Sequence, residues 1–215
     1  MSDVKNMRGI FVTGTDTNIG KTIVSAALAC ALRETENVCF WKPIQTGIEE
    51  DNDTETVRKL ANCSAGEIFD QGVRLEKPLS PHLSARLAGA EISVANILGF
   101  LDDPEKFLIV EGAGGVLVPL NESELMIDLM KALDLPVVVV ARSALGTINH
   151  TLLTLEALRR RNLKILGVVM NGEFNDENRK AVEHYGGVRV LAQMPKFETL
   201  EFEGLSRWTS ENLCL

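Results

Sequence analysis

Five short segments hold the residues whose types and spacing could do chemistry. The first, Gly14-Thr15-Asp16-Thr17-Asn18-Ile19-Gly20-Lys21-Thr22, has the form of a phosphate-binding loop, with glycine, lysine and hydroxyl set just before a helical pattern. Gly20 lets the backbone aim its N–H groups at one point at the positive end of the helix. Lys21 adds a full charge for the β- and γ-phosphates of a nucleotide, and the Thr22 hydroxyl can ligate Mg²⁺. The loop is one residue longer than usual, with five residues between Gly14 and Gly20, which leaves room to face something besides the nucleotide.

The second segment is Trp41-Lys42-Pro43-Ile44-Gln45-Thr46-Gly47, where a lysine ends an apolar run and would point into the same crevice as Lys21. On spacing alone, a surface lysine before a turn is the more ordinary reading. Third is the acidic run Glu49-Glu50-Asp51-Asn52-Asp53, which by itself reads as a solvated loop. Fourth, Glu111-Gly112-Ala113-Gly114-Gly115 comes directly after an apolar strand, and a carboxylate beside such glycines is suited to a nucleotide's metal. Mg²⁺ takes one or two carboxylates plus phosphates and water, so Thr22, Glu111 and one acid of the third segment would suffice. The last segment runs from Arg142 to His150 and includes Gly146 and Asn149; its histidine reads more readily as a helix-cap residue than as a base.

These segments need a frame. Apolar runs at 9–13, 38–42, 107–110, 136–141 and 166–170 lack the alternation of a half-solvated strand, which predicts strands covered on both faces. A last strand is expected at 188–191. Helix-period segments separate them at 21–34, 55–60, 92–101, 125–133, 150–161 and 175–185. This order predicts an α/β fold, a parallel sheet flanked by helices on both faces with right-handed crossovers, and ligands at the carboxyl ends of the strands. With 215 residues and no Pro/Gly/Ser linker, one domain over 1–215 is expected.

Composition narrows the function classes. Lysine plus arginine total 22 against 30 aspartates and glutamates, a net charge of −8, the wrong sign for coating nucleic acid. Phosphate must then be bound by a local site rather than a global field. The start MSDVKNMRG lacks an apolar leader and no apolar run approaches ~20 residues, so a cytoplasmic protein without membrane attachment is expected. Cys30, Cys39, Cys63 and Cys214 form no C-x-x-C pair and read as reduced structural thiols; with only His82, His150 and His184 scattered beside them, zinc is the lesser reading.

Taken together, GTDTNIGKT, WKPIQTG, Ser80-Pro81-His82, EGAGG and LGTINH, in that order between residues 10 and 171, closely resemble the dethiobiotin synthetase family of P-loop NTPase-type proteins. The resemblance implies an ATP- and Mg²⁺-dependent ligase of biotin biosynthesis. It would join CO₂ to 7,8-diaminononanoate in a cyclic urea, dethiobiotin, releasing ADP and phosphate by way of a carbamate and its phosphoric anhydride. It implies Lys42 as the principal catalytic lysine with Lys21 beside it, and Thr22, Asp53 and Glu111 as the magnesium holders. Asn18, Ile19, Gly20, Lys21, Thr22 and Ile23, with Glu111, Gly112, Ala113 and Gly114, would cradle the triphosphate, and Asp53 also belongs to the nucleotide site. Thr17 and Thr46 would meet the diamine and its carbamate, and Asn171 the base. Members are homodimers, and Gly146 and Asn149 would reach the substrate's carboxylate tail across the interface. Asn18 stands where many members carry an acid, and Gly172 comes after Asn171 where an aspartate is frequent, so loose reading of the base is expected.

Two rivals share the loop. A cobyrinic-acid-type amide synthase needs a nitrogen source, commonly an appended glutaminase domain, for which 215 residues leave no room. A ParA/MinD-like ATPase switch would carry a lysine where Asp16 stands. It would also favour a basic or membrane-seeking terminus, whereas residues 198–215 hold four glutamates and one arginine.

Overall fold

The computed structural model describes residues 7–101 and 105–214. Residues 1–6, 102–104 and 215 lie outside them. Strands β1 (Arg8–Gly14), β2 (Val38–Trp41), β4 (Ile68–Phe69), β6 (Phe107–Gly115), β7 (Val137–Arg142), β8 (Ile165–Asn171) and β9 (Val190–Met194) form one seven-stranded sheet in the order β4-β2-β6-β1-β7-β8-β9. Every pairing in it is parallel. β3 (Ile44–Thr46) and β5 (Val73–Leu75) form a separate two-stranded parallel ribbon.

The all-apolar strands are explained by the two cores they separate. Successive side chains point to opposite faces, so Phe11, Val137, Val139 and Ala141 enter one core while Ile10, Val12, Val138 and Val140 enter the other. The first core is closed by α3 (Pro81–Ala88), α4 (Val94–Leu98), α5 (Met126–Leu133), α6 (Thr147–Arg160) and α7 (Asp176–Gly186). The second is closed by α1 (Lys21–Leu32), α2 (Asp53–Leu60) and α8 (Phe202–Asn212). This is the expected α/β architecture.

The boundaries differ in instructive ways. β6 runs on through Gly115 rather than stopping at Val110, so Glu111 is a strand residue whose side chain is fixed by the ladder. α2 begins at Asp53 because the Asn52 side chain accepts from the Glu55 N–H and caps it. α6 starts three residues early, at Thr147, after a left-handed Gly146. The helix expected over 92–101 shrinks to α4, capped by Ser93. β3, β4, β5, α3 and α8 were not expected. The strands are two or three residues long and carry no period. α8 replaces the expected tail, laying Leu205 and Trp208 into the second core, where Phe197 meets Trp208 edge-on at 6.2 Å. No cysteine is in a disulfide, and no helix among the described residues is long and apolar enough to cross a membrane.

Candidate active site

β1 delivers the chain into the loop 15–20, and Gly20 turns it into α1 with φ 91°, in the left-handed region. The site of a β-carbon at Gly20 lies 2.0 Å from Asn171 Nδ2. That amide, at the end of β8, donates to the Ile19 carbonyl at 2.9 Å. Two strand ends are thus stitched together across the loop, and only glycine permits both the turn and the contact. Asp16 accepts from the Thr17 N–H at 2.8 Å and pairs with Arg142 at 2.5 Å. Lys21 Nζ curls back to the Asp16 carbonyl at 3.0 Å.

Beside the loop lies a buried ionic cluster. Lys42 is 3% exposed and Glu111 1%. Lys42 Nζ stands 2.6 Å from Asp53 Oδ2, 2.7 Å from Glu111 Oε1 and 3.3 Å from the Gly112 carbonyl. The Thr22 hydroxyl is 2.7 Å from Asp53 Oδ1 and 3.1 Å from Glu111 Oε1, while Ser25 donates to Glu111 Oε2 at 2.9 Å. Burial works against every charge here. It pulls Lys21 below the usual lysine range, with the nearby Lys42 charge adding to the effect. For Lys42, burial is outweighed by Glu111 and Asp53, which hold it above that range. For Asp53 it is outweighed by Lys42 and the Thr22 hydrogen bond, and its carboxyl falls below the ordinary value.

A cleft of about 940 Å³ opens over these groups. Of the expected site residues, Thr17, Asn18, Ile19, Gly20, Lys21, Thr22, Ile23, Lys42, Thr46, Asp53, Glu111, Ala113, Gly114 and Asn171 line it. Gly112 touches the cluster through its carbonyl alone. Gly146 and Asn149 do not line the cleft; they sit at the start of α6. A neighbouring hollow of about 600 Å³ includes Arg142, Ser143, Gly172 and Lys196, with Asn171 on the border of both. Gly172 has φ 130°, and a β-carbon there would meet Ser143 Oγ at 2.6 Å, so a side chain at this position would strain the backbone and displace that hydroxyl.

The donor set fits magnesium. Thr22, Asp53 and Glu111 converge as hard oxygens, two of them carboxylates, and nothing softer competes. Nitrogen and sulfur ligands for zinc are absent from the cluster.

Two contributors escaped sequence reasoning. Arg74, on β5, donates to the Lys42 carbonyl at 2.8 Å, and the Val73 N–H reaches the Pro43 carbonyl at 2.9 Å. The ribbon β3–β5 therefore fixes the backbone that carries Lys42. Ser25 lies inside α1, where nothing local marks it except a hydroxyl among alanines.

The comparisons accord with this geometry. The family described as "AAA domain" (AAA_26) matches residues 8–203. ATP-dependent dethiobiotin synthetase BioD of Paramagnetospirillum magneticum is 56% identical over 188 residues, 87% of this chain and 88% of the relative. The Brucella ovis protein of the same name is 45% identical over 94% of this chain and 93% of its own length. Among solved structures, the septum site-determining protein MinD of Pyrococcus horikoshii covers 95% of both chains with a TM-score of 0.61 at 17% identity. A ParA family ATPase from Chlorobium tepidum reaches 0.60 at 10% identity, covering 96% of this chain and 99% of its own. At such identity the structural likeness establishes the P-loop NTPase fold alone. The sequence relatives and the family match together place the chain in the ATP-dependent dethiobiotin synthetase family.

Proposed function

We propose that this enzyme closes the ureido ring of dethiobiotin in biotin biosynthesis from 7,8-diaminononanoate, CO₂ and ATP. The observation that supports this best is the buried Lys42–Asp53–Glu111 cluster beside the phosphate loop, which suits a reaction between anions. One amine of the substrate adds to CO₂ and loses a proton, giving a carbamate. A carbamate oxygen takes the γ-phosphoryl group as its bond to the β-phosphate oxygen breaks, releasing ADP. The second amine then attacks the carbamate carbon, its C–O bond to phosphate breaks, the amine's proton leaves with the phosphate, and the ring closes.

Lys21 and Lys42 neutralise charge where carbamate and phosphate meet, which is where transition-state stabilisation has most effect. Thr22, Asp53 and Glu111 would hold Mg²⁺, which supplies Lewis-acid polarisation of the phosphate oxygens. Asn18, Ile19, Gly20 and Ile23, with Gly112, Ala113 and Gly114, form the wall along the triphosphate, and Thr17 and Thr46 orient the diamine. Asn171 offers the base its Oδ1 and one amide N–H, the other N–H being donated to Ile19. Gly146 and Asn149 act on a partner's substrate in a homodimer. The dimer is supported by the half-exposed Leu117 and Leu153 on one groove and by the fully exposed Leu145 just before α6. We place the enzyme in the cytoplasm as one domain, with small molecules rather than nucleic acid or membrane as its partners.

The test is ADP release with 7,8-diaminononanoate, bicarbonate and Mg²⁺, omitting each in turn. Turnover should need all three. ATP hydrolysis that proceeds equally well without the diamine would overturn the reading.

A further inference from the structure

Buried hydroxyls inside helices ordinarily donate to the carbonyl four residues back. Thr154 does so with His150 at 2.9 Å, and Thr209 with Leu205 at 2.7 Å. Ser25, fully buried on α1, does something else: its Oγ donates to Glu111 Oε2 at 2.9 Å. It lies three residues after Thr22, so both hydroxyls face β6 from one side of the helix. The two oxygens of Glu111 are thereby distinguished. Oε2 is held by Ser25, while Oε1 faces Thr22 at 3.1 Å and Lys42 at 2.7 Å.

We propose that Ser25 is a positioning residue for the metal site, fixing the rotation of the Glu111 carboxylate so that Oε1 is presented to the cation. A carboxylate with only 1% exposure cannot recruit water to replace that donor. Held through Oε1 alone, by Thr22 and Lys42, it can pivot about its terminal torsion, which is broad for such groups. Partners that orient a ligand in this way typically set metal affinity by about 10- to 100-fold when removed.

The inference rests on Asp53 and Glu111 holding the metal, and the experiment separates the two. Mn²⁺ binding is monitored by water-proton relaxation on protein saturated with a non-hydrolysable ATP analogue. Asp53→Asn tests the metal assignment: Mn²⁺ affinity equal to wild type would overturn it, and the inference with it. Given a loss there, Ser25→Ala should bind Mn²⁺ about 10-fold more weakly. Its apparent KM for Mg²⁺ should rise by a similar factor, with kcat at saturating Mg²⁺ within about threefold of wild type. Thr209→Val removes an ordinary buried hydroxyl far from the site, and should leave Mn²⁺ affinity unchanged while lowering Tm. Ser25→Thr, which keeps the donor, should recover most of the affinity. If Ser25→Ala lowers Tm like Thr209→Val yet binds Mn²⁺ as wild type does, Ser25 is only a packing residue and the proposal fails; that comparison decides the matter even where threonine is too large for the site.

Discussion

Lys42 keeps its charge where there is almost no water, and two carboxylates make that possible. Removing one partner of a buried ionic cluster leaves the others uncompensated, typically at about 3–5 kcal/mol. Lys42→Met should therefore lower stability in the absence of nucleotide as well as cut turnover by about 10²-fold or more. The pH dependence carries the sign. Asp53 has a folded pKa below its unfolded value near ~4. Its contribution is complete above that value and is lost as pH falls through the folded one. Lys42 is raised above its unfolded value near ~10.4, so its contribution holds below that and disappears as pH climbs through the folded pKa. Between about pH 4 and 10.4 the cluster is fully stabilising. Tm measured against pH should show a shallower acid limb in Lys42→Met than in wild type, and parallel acid limbs would contradict the coupling. Asn171 offers a second reading at this scale. With one amide N–H donated to Ile19 and no side chain at Gly172, Asn171 itself offers the base one acceptor and one donor. ATP and CTP, each with an exocyclic amine, should give kcat/KM within about tenfold, a difference under ~1.4 kcal/mol. A preference for ATP over CTP above about a thousandfold would mean that another group reads adenine.

The elements around these residues show why some of the site was legible in the sequence and some was not. The phosphate loop and Lys42 follow strand ends, Glu111 follows the apolar run that opens β6, and strands covered on both faces announce themselves as apolar runs. The positions facing the crevice are then the residues at the carboxyl end of each run. Asp53 is different. Five polar residues in a row carry no signal for which one turns inward, and the family resemblance was needed to choose it. The structure supplies the reason: Asn52 caps α2, and Asp53, at the helix start, is carried against Lys42. Arg74 and Ser25 had no local signature because their roles depend on non-local pairings, β3 with β5 and α1 with β6. α8 reads as a tail in the sequence since its composition is mostly polar, and only its packing on α1 and α2 makes it an element. Gly20 tests the stitch between loop and sheet. Gly20→Ala would strain a left-handed φ and drive a methyl group into the Asn171 amide. Nucleotide affinity should fall by at least ~10-fold, while a Tm loss of several degrees reports the strain itself. Wild-type affinity, measured by calorimetry with an ATP analogue, would show that the loop does not need this turn.

At the scale of the whole molecule, a chain of net charge −8 must gather anionic ligands with local positive charge, and Lys21 and Lys42, both lining the cleft beyond the carboxyl ends of β1 and β2, are placed to supply it. One large surface feature lies outside that cleft. Leu117 and Leu153, 58% and 57% exposed, border a groove of about 500 Å³ that also includes His150, Thr154 and Ala157. Leu145, 99% exposed, projects just before α6. Apolar side chains grouped around one groove are expensive to leave in water, and a second copy of the same face would cover them. The position bears on the proposed reaction, because the same helix start carries Gly146 and Asn149, which do not line this chain's own cleft. If they serve the partner's substrate, dimerisation and diamine binding are coupled while ATP binding is not. Leu153→Asp places a charge in the middle of that surface. Sedimentation should show the wild type as a dimer and the variant at half its mass. Its KM for 7,8-diaminononanoate should rise at least ~10-fold, with KM for ATP within about threefold, because binding shared across the interface is lost without touching the phosphate loop. A monomeric variant with an unchanged KM for the diamine would confine each active site to a single chain, and a variant that stays dimeric would move the interface to another face.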